Sequence, residues 1–201
     1  MGLDFAIEKA LHARGYCHVA GVDEVGRGPL AGPVTAAAVI LNPKDIPAAV
    51  NDSKKLSKKT REQVYEALLQ TAKISVAHAT VAEIDSLNIL RASHLAMNRA
   101  LDGLSTSADY ALIDGNMLPR RLALPGAAFV KGDARVASIA AASIVAKVCR
   151  DRVMLSLAQQ HPGYGWETNA GYGTPAHLCA LRNLGITPHH RRSFKPVYNM
   201  L

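Results

Sequence analysis

Cysteine is scarce and scattered. Cys17, Cys149 and Cys179 are odd in number, lie far apart and form no CxxC pair, which argues against a disulfide framework or a zinc knuckle and suits a reducing compartment. The eight histidines do not cluster at metal-ligand spacing either. His189 and His190 are the one close pair, and adjacent residues rarely ligate the same ion, so zinc is not expected. No stretch approaches the roughly 20 apolar residues of a membrane span, and the opening MGLDFAIEKALHARG lacks the basic-then-apolar order of a signal peptide. Internal repeats, low-complexity tracts and a linker between halves are missing too, as is the GxSxG of a serine hydrolase, and Ser138 and Ser143 have no base near them in the sequence. These absences lead us to expect a soluble, cytoplasmic protein with no membrane contact; a monomer is expected as well.

What is present is 201 residues, 49% hydrophobic and 19% charged, enough to bury a sizeable core within one domain. That domain is expected to span 1–201, with about 160–201 forming a helical and basic C-terminal segment that contacts substrate. The 23 Lys+Arg outnumber the 16 Asp+Glu for a net charge of +7. Such a balance suits a polyanionic partner such as nucleic acid, although net charge by itself serves solubility equally well.

In chain order, residues 3 to 14 read as a short amphipathic packing helix closed by Gly15. VAGVDEV and VTAAAVIL read as an antiparallel strand pair joined by the Gly/Pro-rich GRGPLAGP. Asn51-Asp52-Ser53 marks a loop, and Ser57 is an N-cap for a helix from about Lys58 to Thr71. Five cations, Lys54, Lys55, Lys58, Lys59 and Arg61, crowd that helix start, where they oppose the helix dipole; the alternative is a solvated basic face. Residues 74 to 81 form a third strand. Val81 to Leu104 is a single helix whose Asp85, Asn88, Arg91 and His94 go to solvent or local bonds. ADYALIDG is a buried strand ending in an acid, and AAFVKGD repeats that arrangement. VASIAAASIVAKVCRDRVMLSLAQQ is a long helix with a small-residue first half suited to close packing on a sheet. The tail holds a short helix from about Pro175 to Leu184 and an irregular basic end. The whole predicts an α/β sheet with helices packed against it.

Asp23, Glu24, Asp114 and Asp133 stand out because each sits beside glycine or at the end of an apolar run. Taken singly, Asp114 or Asp133 reads as a strand-end cap. Together they can converge beyond the carboxyl ends of strands, where α/β sheets gather ligands. Such a set suits Mg²⁺ or Mn²⁺, which take oxygen ligands and share coordination with phosphates, and two such ions can assist an in-line phosphoryl displacement. Asp23 and Glu24 are consecutive, so both reach one site only if their strand twists or ends there. Gly26-Arg27-Gly28 adds closely approachable backbone N–H groups and a phosphate-matching guanidinium.

DEVGRGPLAGP, DSKKLS, IDG, KGD followed by SIAAASIVAKVCRD, YGWETNAGYGT and TPHHRRSF, in this order over about residues 18 to 197, resemble bacterial ribonuclease HII. The resemblance implies a ribonuclease H-like fold, with a central mixed five-stranded sheet flanked by helices and helical C-terminal elements. It also implies an endoribonuclease acting on the RNA strand of RNA–DNA hybrids and cutting 5′ of single ribonucleotides in duplex DNA. By the same resemblance Asp23, Glu24, Asp114 and Asp133 are the catalytic, Mn²⁺- or Mg²⁺-binding acids. Gly26, Arg27 and Gly28 read the ribose 2′-OH and adjacent phosphate. Tyr172 stacks on the following deoxynucleotide sugar, with Tyr164 the competing position and core packing the bland alternative for either. Lys54, Lys55, Lys147 and Arg150 are phosphate contacts, and the basic tail serves a sliding clamp or DNA alone. A non-catalytic hybrid binder, a DNA-directed nuclease on the same fold and a scaffold protein are the competing readings.

Overall fold

The computed structural model describes residues 3, 5–51 and 53–201. Asp4 of the expected first helix and Asp52 of the DSKKLS segment lie outside the described residues. The elements run α1 (Ala6–Ala13), β1 (Val19–Val25), β2 (Val34–Ile40), α2 (Lys58–Thr71), β3 (Lys73–Ala79), α3 (Val81–Leu87), α4 (Ile89–Asp102), β4 (Tyr110–Asp114) and β5 (Gly126–Phe129). A 3₁₀ turn (Gly132–Ala134) then leads to α5 (Ala137–Gln160), α6 (Trp166–Asn169), α7 (Pro175–Leu184) and α8 (Lys195–Tyr198). The sheet order is β3-β2-β1-β4-β5. β1 pairs antiparallel with β2, as its short connection requires, and parallel with β4, which in turn is parallel to β5.

The pleat sorts the sheet's side chains onto two faces. Ala20, Val22, Ala36 and Ala38 pack with Ala92, Ala96, Met97 and Ala100 of α4, while Ala37 and Val39 pack with α5 and with Val64, Tyr65 and Leu68 of α2. The small-residue half of α5 is there to approach the sheet. A Cβ on Gly21 of β1 would stand 2.1 Å from the Ser138 carbonyl carbon, so the backbones of strand and helix nearly touch. Larger α5 side chains such as Ile139 and Ile144 are fully buried, each contributing about 1.5–3 kcal/mol of hydrophobic stabilisation. α1 docks on the start of this helix, where Glu8 Oε1 accepts a 2.8 Å bond from the Ser138 N–H and satisfies one orphan helix-terminal donor.

Three features differ from the sequence expectation. The helix expected over Val81 to Leu104 is two helices, because Asn88 takes φ 72° and ψ 163°, outside helical geometry, and its side chain accepts from Arg91 N–H as the N-cap of α4. The third strand ends at Ala79, since Thr80 and Glu83 form a reciprocal capping box that starts α3. The tail holds α6 and α8 as well as α7. Its residues form a lobe in which Trp166, Tyr164, Leu181 and Val197 pack with Met154, Leu157, Leu30 and Ala31. No helix among the described residues is long and apolar enough to cross a membrane.

Candidate active site

Because β1, β4 and β5 are parallel, their carboxyl ends share one edge of the sheet. Val22 pairs with Ile113, so Asp23 and Asp114 follow side by side, and Asp114 pairs with Phe129 of β5. Asp133 comes from the 3₁₀ turn four residues after that strand. The Gly132 N–H donates to Asp114 Oδ1 at 2.7 Å, tying this turn to the end of β4. Asp23, Glu24 and Asp114 line a cleft of about 490 Å³ together with Ser53, Lys54, Arg61, Ser143, Lys147 and Tyr172.

The alternation of β1 does send Asp23 and Glu24 to opposite faces. Asp23 follows Gly21 toward α5 and meets the Ser143 hydroxyl, whereas Glu24 borders a second, smaller recess beside His94 and Met97 of α4. Both still reach the one cleft because the strand ends at Val25 and the chain turns at Gly26, φ 92°.

Charge in this cleft is held under repulsion. Burial, then Glu24 and Asp114, push the Asp23 carboxyl well above its ordinary range, while the Glu24 N–H at 2.7 Å and the Ser143 hydroxyl work the other way. Burial also raises Glu24, opposed by the Arg27 guanidinium 3.1 Å from its Oε1. Asp114 is raised by burial, with the Gly132 N–H opposing it and Asp133 adding to it. Lys54 Nζ lies 3.0 Å from Asp133 Oδ2. Glu24 Oε2 is buried with no hydrogen-bond partner among the described residues. An all-oxygen set with an orphaned carboxylate oxygen fits a hard divalent cation. Among the described residues no three acid, imidazole or thiol side chains stand together closely enough to hold an ion as they are, so the fit rests on the donor chemistry and on the orphaned Glu24 Oε2.

The other singled-out residues divide. Gly26 is buried and Arg27 and Gly28 are exposed beside the acids. A Cβ on Gly28 would lie 3.5 Å from the Tyr172 ring. Tyr172 is 46% exposed, whereas Tyr164 is 5% exposed, stacks on Trp166 and donates its hydroxyl to Gly185 O at 2.9 Å. Lys147 lines the cleft and pairs with Asp151 at 2.7 Å, and Lys55 is exposed outside the cleft lining. Arg150 is no surface phosphate contact. It is wholly buried and donates to the carbonyls of Ala31, Pro33 and Ala170.

The cation run also splits. Arg61 Nη1 donates to Ser53 O and Leu56 O at 2.5 and 3.2 Å, a structural role, while Lys58 lines a groove that adjoins the cleft through Lys147. Sequence reasoning missed Ser53 as a site residue and considered Ser143 only as a nucleophile; their hydroxyls lie 2.7 Å apart behind Asp23. It also misplaced Asp85, which accepts from the backbone N–H groups of Arg192 and Ser193, and His94, which is buried.

A mixed five-stranded sheet of this order, carrying acids at the ends of its parallel strands, defines a ribonuclease H-like protein. The comparisons agree: the structure superposes on ribonuclease H2 from Pyrococcus horikoshii with a TM-score of 0.76 at 28% identity, covering 92% of this chain and 97% of that one. It likewise superposes on the RNase HII of a PCNA:RNase HII complex from Archaeoglobus fulgidus, with a TM-score of 0.71 at 27% identity over 87% of this chain and 94% of that one. The family model for Ribonuclease HII matches residues 20–197, and the Ribonuclease HII of Ruegeria pomeroyi is 62% identical over 98% of this chain and 85% of its own length. The chain belongs to the ribonuclease HII family and is an endoribonuclease of the ribonuclease H class.

Proposed function

We propose that this enzyme hydrolyses the RNA strand of RNA–DNA hybrids and cuts duplex DNA on the 5′ side of single embedded ribonucleotides. The observation that carries this reading is one edge of the sheet where Asp23, Glu24 and Asp114 meet under mutual repulsion beside the exposed Arg27-Gly28 turn and Tyr172. Asp23, Glu24, Asp114 and Asp133 would hold Mg²⁺ or Mn²⁺. Bound there, such cations would supply an activated water and neutralise charge developing at phosphorus.

In the reaction the water oxygen bonds to phosphorus, the P–O3′ bond breaks and the leaving oxygen takes a proton, which leaves 3′-hydroxyl and 5′-phosphate ends. The Arg27 and Gly28 backbone would approach the ribose 2′-OH, the group that distinguishes RNA from DNA. Arg27's guanidinium would shift from Glu24 toward the adjacent phosphate, and the exposed Tyr172 ring would stack on the next sugar. Lys54, Lys55 and Lys147 would attract the backbone in a salt-dependent way without setting sequence preference. Asp23→Asn tests the chemistry: we expect Mg²⁺-dependent cleavage of a one-ribonucleotide duplex to fall by about 10²-fold or more, the scale of losing one electrostatic stabiliser. Wild-type rates in that variant would sink the mechanism.

Contact with a sliding clamp belongs to the same reading, supported by the archaeal relative solved with PCNA. The exposed Tyr198, Met200 and Leu201 are apolar surface that such a contact would cover. Gel filtration with a bacterial sliding clamp, before and after removal of residues 195–201, checks it: unchanged co-elution after removal would place the contact elsewhere.

A further inference from the structure

The GRGPLAGP loop is gripped from beneath by two buried cations. Arg150 and Arg191 are both fully buried, and among the described residues neither forms an ion pair. Their guanidinium groups donate to backbone carbonyls. Arg191 reaches Gly26 O at 2.6 Å, Arg27 O at 2.9 Å and Gly32 O at 3.0 and 2.9 Å, while Arg150 holds the other end of the loop at Ala31 and Pro33. Burial pulls Arg191 down to about 9 and Arg150 to about 10, so both stay charged at neutral pH. A buried cation with no carboxylate in contact is costly; Asp85 and Asp151 attract Arg191 and Arg150 only from beyond ion-pair distance, and apolar side chains would fill the same space more cheaply.

The geometry indicates what that cost secures. In a trans peptide the C=O and N–H point in opposite directions. The carbonyls of Gly26 and Arg27 belong to the same peptide planes as the N–H groups of Arg27 and Gly28. Drawing both carbonyls inward therefore turns both N–H groups outward, on exposed residues, and among the described residues neither donates to a backbone acceptor.

The segment His189–Arg191, a strap across the loop, also ties down the backbone under Tyr172. Arg191 N–H donates to Leu30 O at 2.8 Å and Gly32 N–H to His189 O at 2.9 Å. His190 Nε2 lies 3.1 Å from His177 Nε2, and His177 Nδ1–H donates to the Tyr172 carbonyl at 2.9 Å. One short segment thus ties down both the Gly26-Arg27-Gly28 turn and the backbone under Tyr172.

We propose that Arg191 is a positioning residue for ribonucleotide recognition: its guanidinium presets the Arg27 and Gly28 N–H groups as an outward donor pair, at a distance from Tyr172 fixed by the His189–Arg191 strap. This rests on the ribonucleotide reading of the site.

The test is Arg191→Lys, which keeps the charge but replaces a planar fork with a single ammonium that cannot span three carbonyls. Binding is measured with Ca²⁺ in place of Mg²⁺, on a duplex with one ribonucleotide and on the same sequence as all-DNA. A wild-type protein without preference for the ribonucleotide duplex would refute the parent reading, before the variant is considered. Given that preference, the variant should lose about tenfold of it, the scale of one well-aligned hydrogen bond. Its affinity for plain DNA, and for Mn²⁺ by calorimetry, should stay at wild-type values. A folded variant that keeps the preference, or that weakens on both duplexes alike, overturns the proposal. If circular dichroism and Trp166 emission show that the variant does not fold, the wild-type amide resonances of Arg27 and Gly28 are followed instead. They should shift with the ribonucleotide duplex and not with DNA alone, and equal shifts with the two duplexes overturn it.

Discussion

The C-terminal lobe should loosen in mild acid through His190. This side chain is 1% exposed, and its Nδ1 accepts from Thr187 N–H at 3.0 Å, so the ring proton sits on Nε2, facing His177. His177 carries its own proton on Nδ1 for the Tyr172 carbonyl, leaving its Nε2 to accept from the Trp166 indole at 3.0 Å. A second proton on His190 would sit on Nδ1, where the Thr187 N–H opposes it and Thr187 Oγ1 at 3.0 Å can accept it, so burial is the main reason the ring stays neutral. Burial, together with His177, His189 and His161, pulls its pKa from 6.5 down to about 4.

Between those values the unfolded chain binds a proton that the folded chain refuses, so this stabilisation is fully present above about pH 6.5 and is lost as pH falls toward 4. The whole shift corresponds to about 3 kcal/mol, of which about 2 kcal/mol is gone by pH 5. The raised carboxylates of Asp23, Glu24 and Asp114 act with the opposite sign, because the folded state binds their protons more readily. The informative quantity is therefore the difference between wild type and His190→Gln. Trp166 is the only tryptophan and reports on this lobe. In urea unfolding followed by its emission, wild type should lose about 2 kcal/mol relative to the variant between pH 7 and pH 5. Parallel pH profiles, or a His190 pKa near 6.5 by NMR, would refute the reasoning.

Two further outcomes follow from the same contacts. Asp114→Asn should stabilise the metal-free protein at pH 7 by about 1 kcal/mol, or about 2–4 °C in Tm, because it removes one buried charge from a repelling set. That gain should shrink as pH falls and Asp114 itself takes a proton; thermal scans in EDTA at two pH values check it. The tyrosines should separate cleanly. Tyr172→Ala should lower kcat/KM on a one-ribonucleotide duplex with little change in Tm, whereas Tyr164→Phe should cost about 1 kcal/mol through the lost bond to Gly185 and leave substrate preference intact.

Much of the fold was legible where local chemistry decides it. The Ser57 cap and its apolar stripe set α2 at Lys58–Thr71, and Thr174 with Pro175 set α7. The small side chains of α5 pointed to close packing on a sheet, and Gly21 shows how close. The acids were visible because carboxylates after apolar runs are unusual, and parallel strands bring such ends to one edge. What stayed hidden depends on distant chain. Asn88 reads as one more polar position in a helical pattern until its φ is known. Arg150 and Arg191 look like surface cations, and only the folded loop supplies the carbonyls that bury them. Ser143 was weighed as a nucleophile, but its neighbours Asp23 and Ser53 come from far along the chain and make it a support for the acid.

Metal-dependent ribonucleotide cleavage is tested most directly by giving the wild-type enzyme three matched duplexes, an RNA–DNA hybrid, DNA with one ribonucleotide, and plain DNA, each with Mg²⁺, with Mn²⁺ and with EDTA. Divalent-ion-dependent cutting of the first two is expected, 5′ of the single ribonucleotide in the second and with 3′-hydroxyl ends, and no cutting of plain DNA. Cleavage in EDTA, or plain DNA cut as readily as the ribonucleotide duplex, would contradict it.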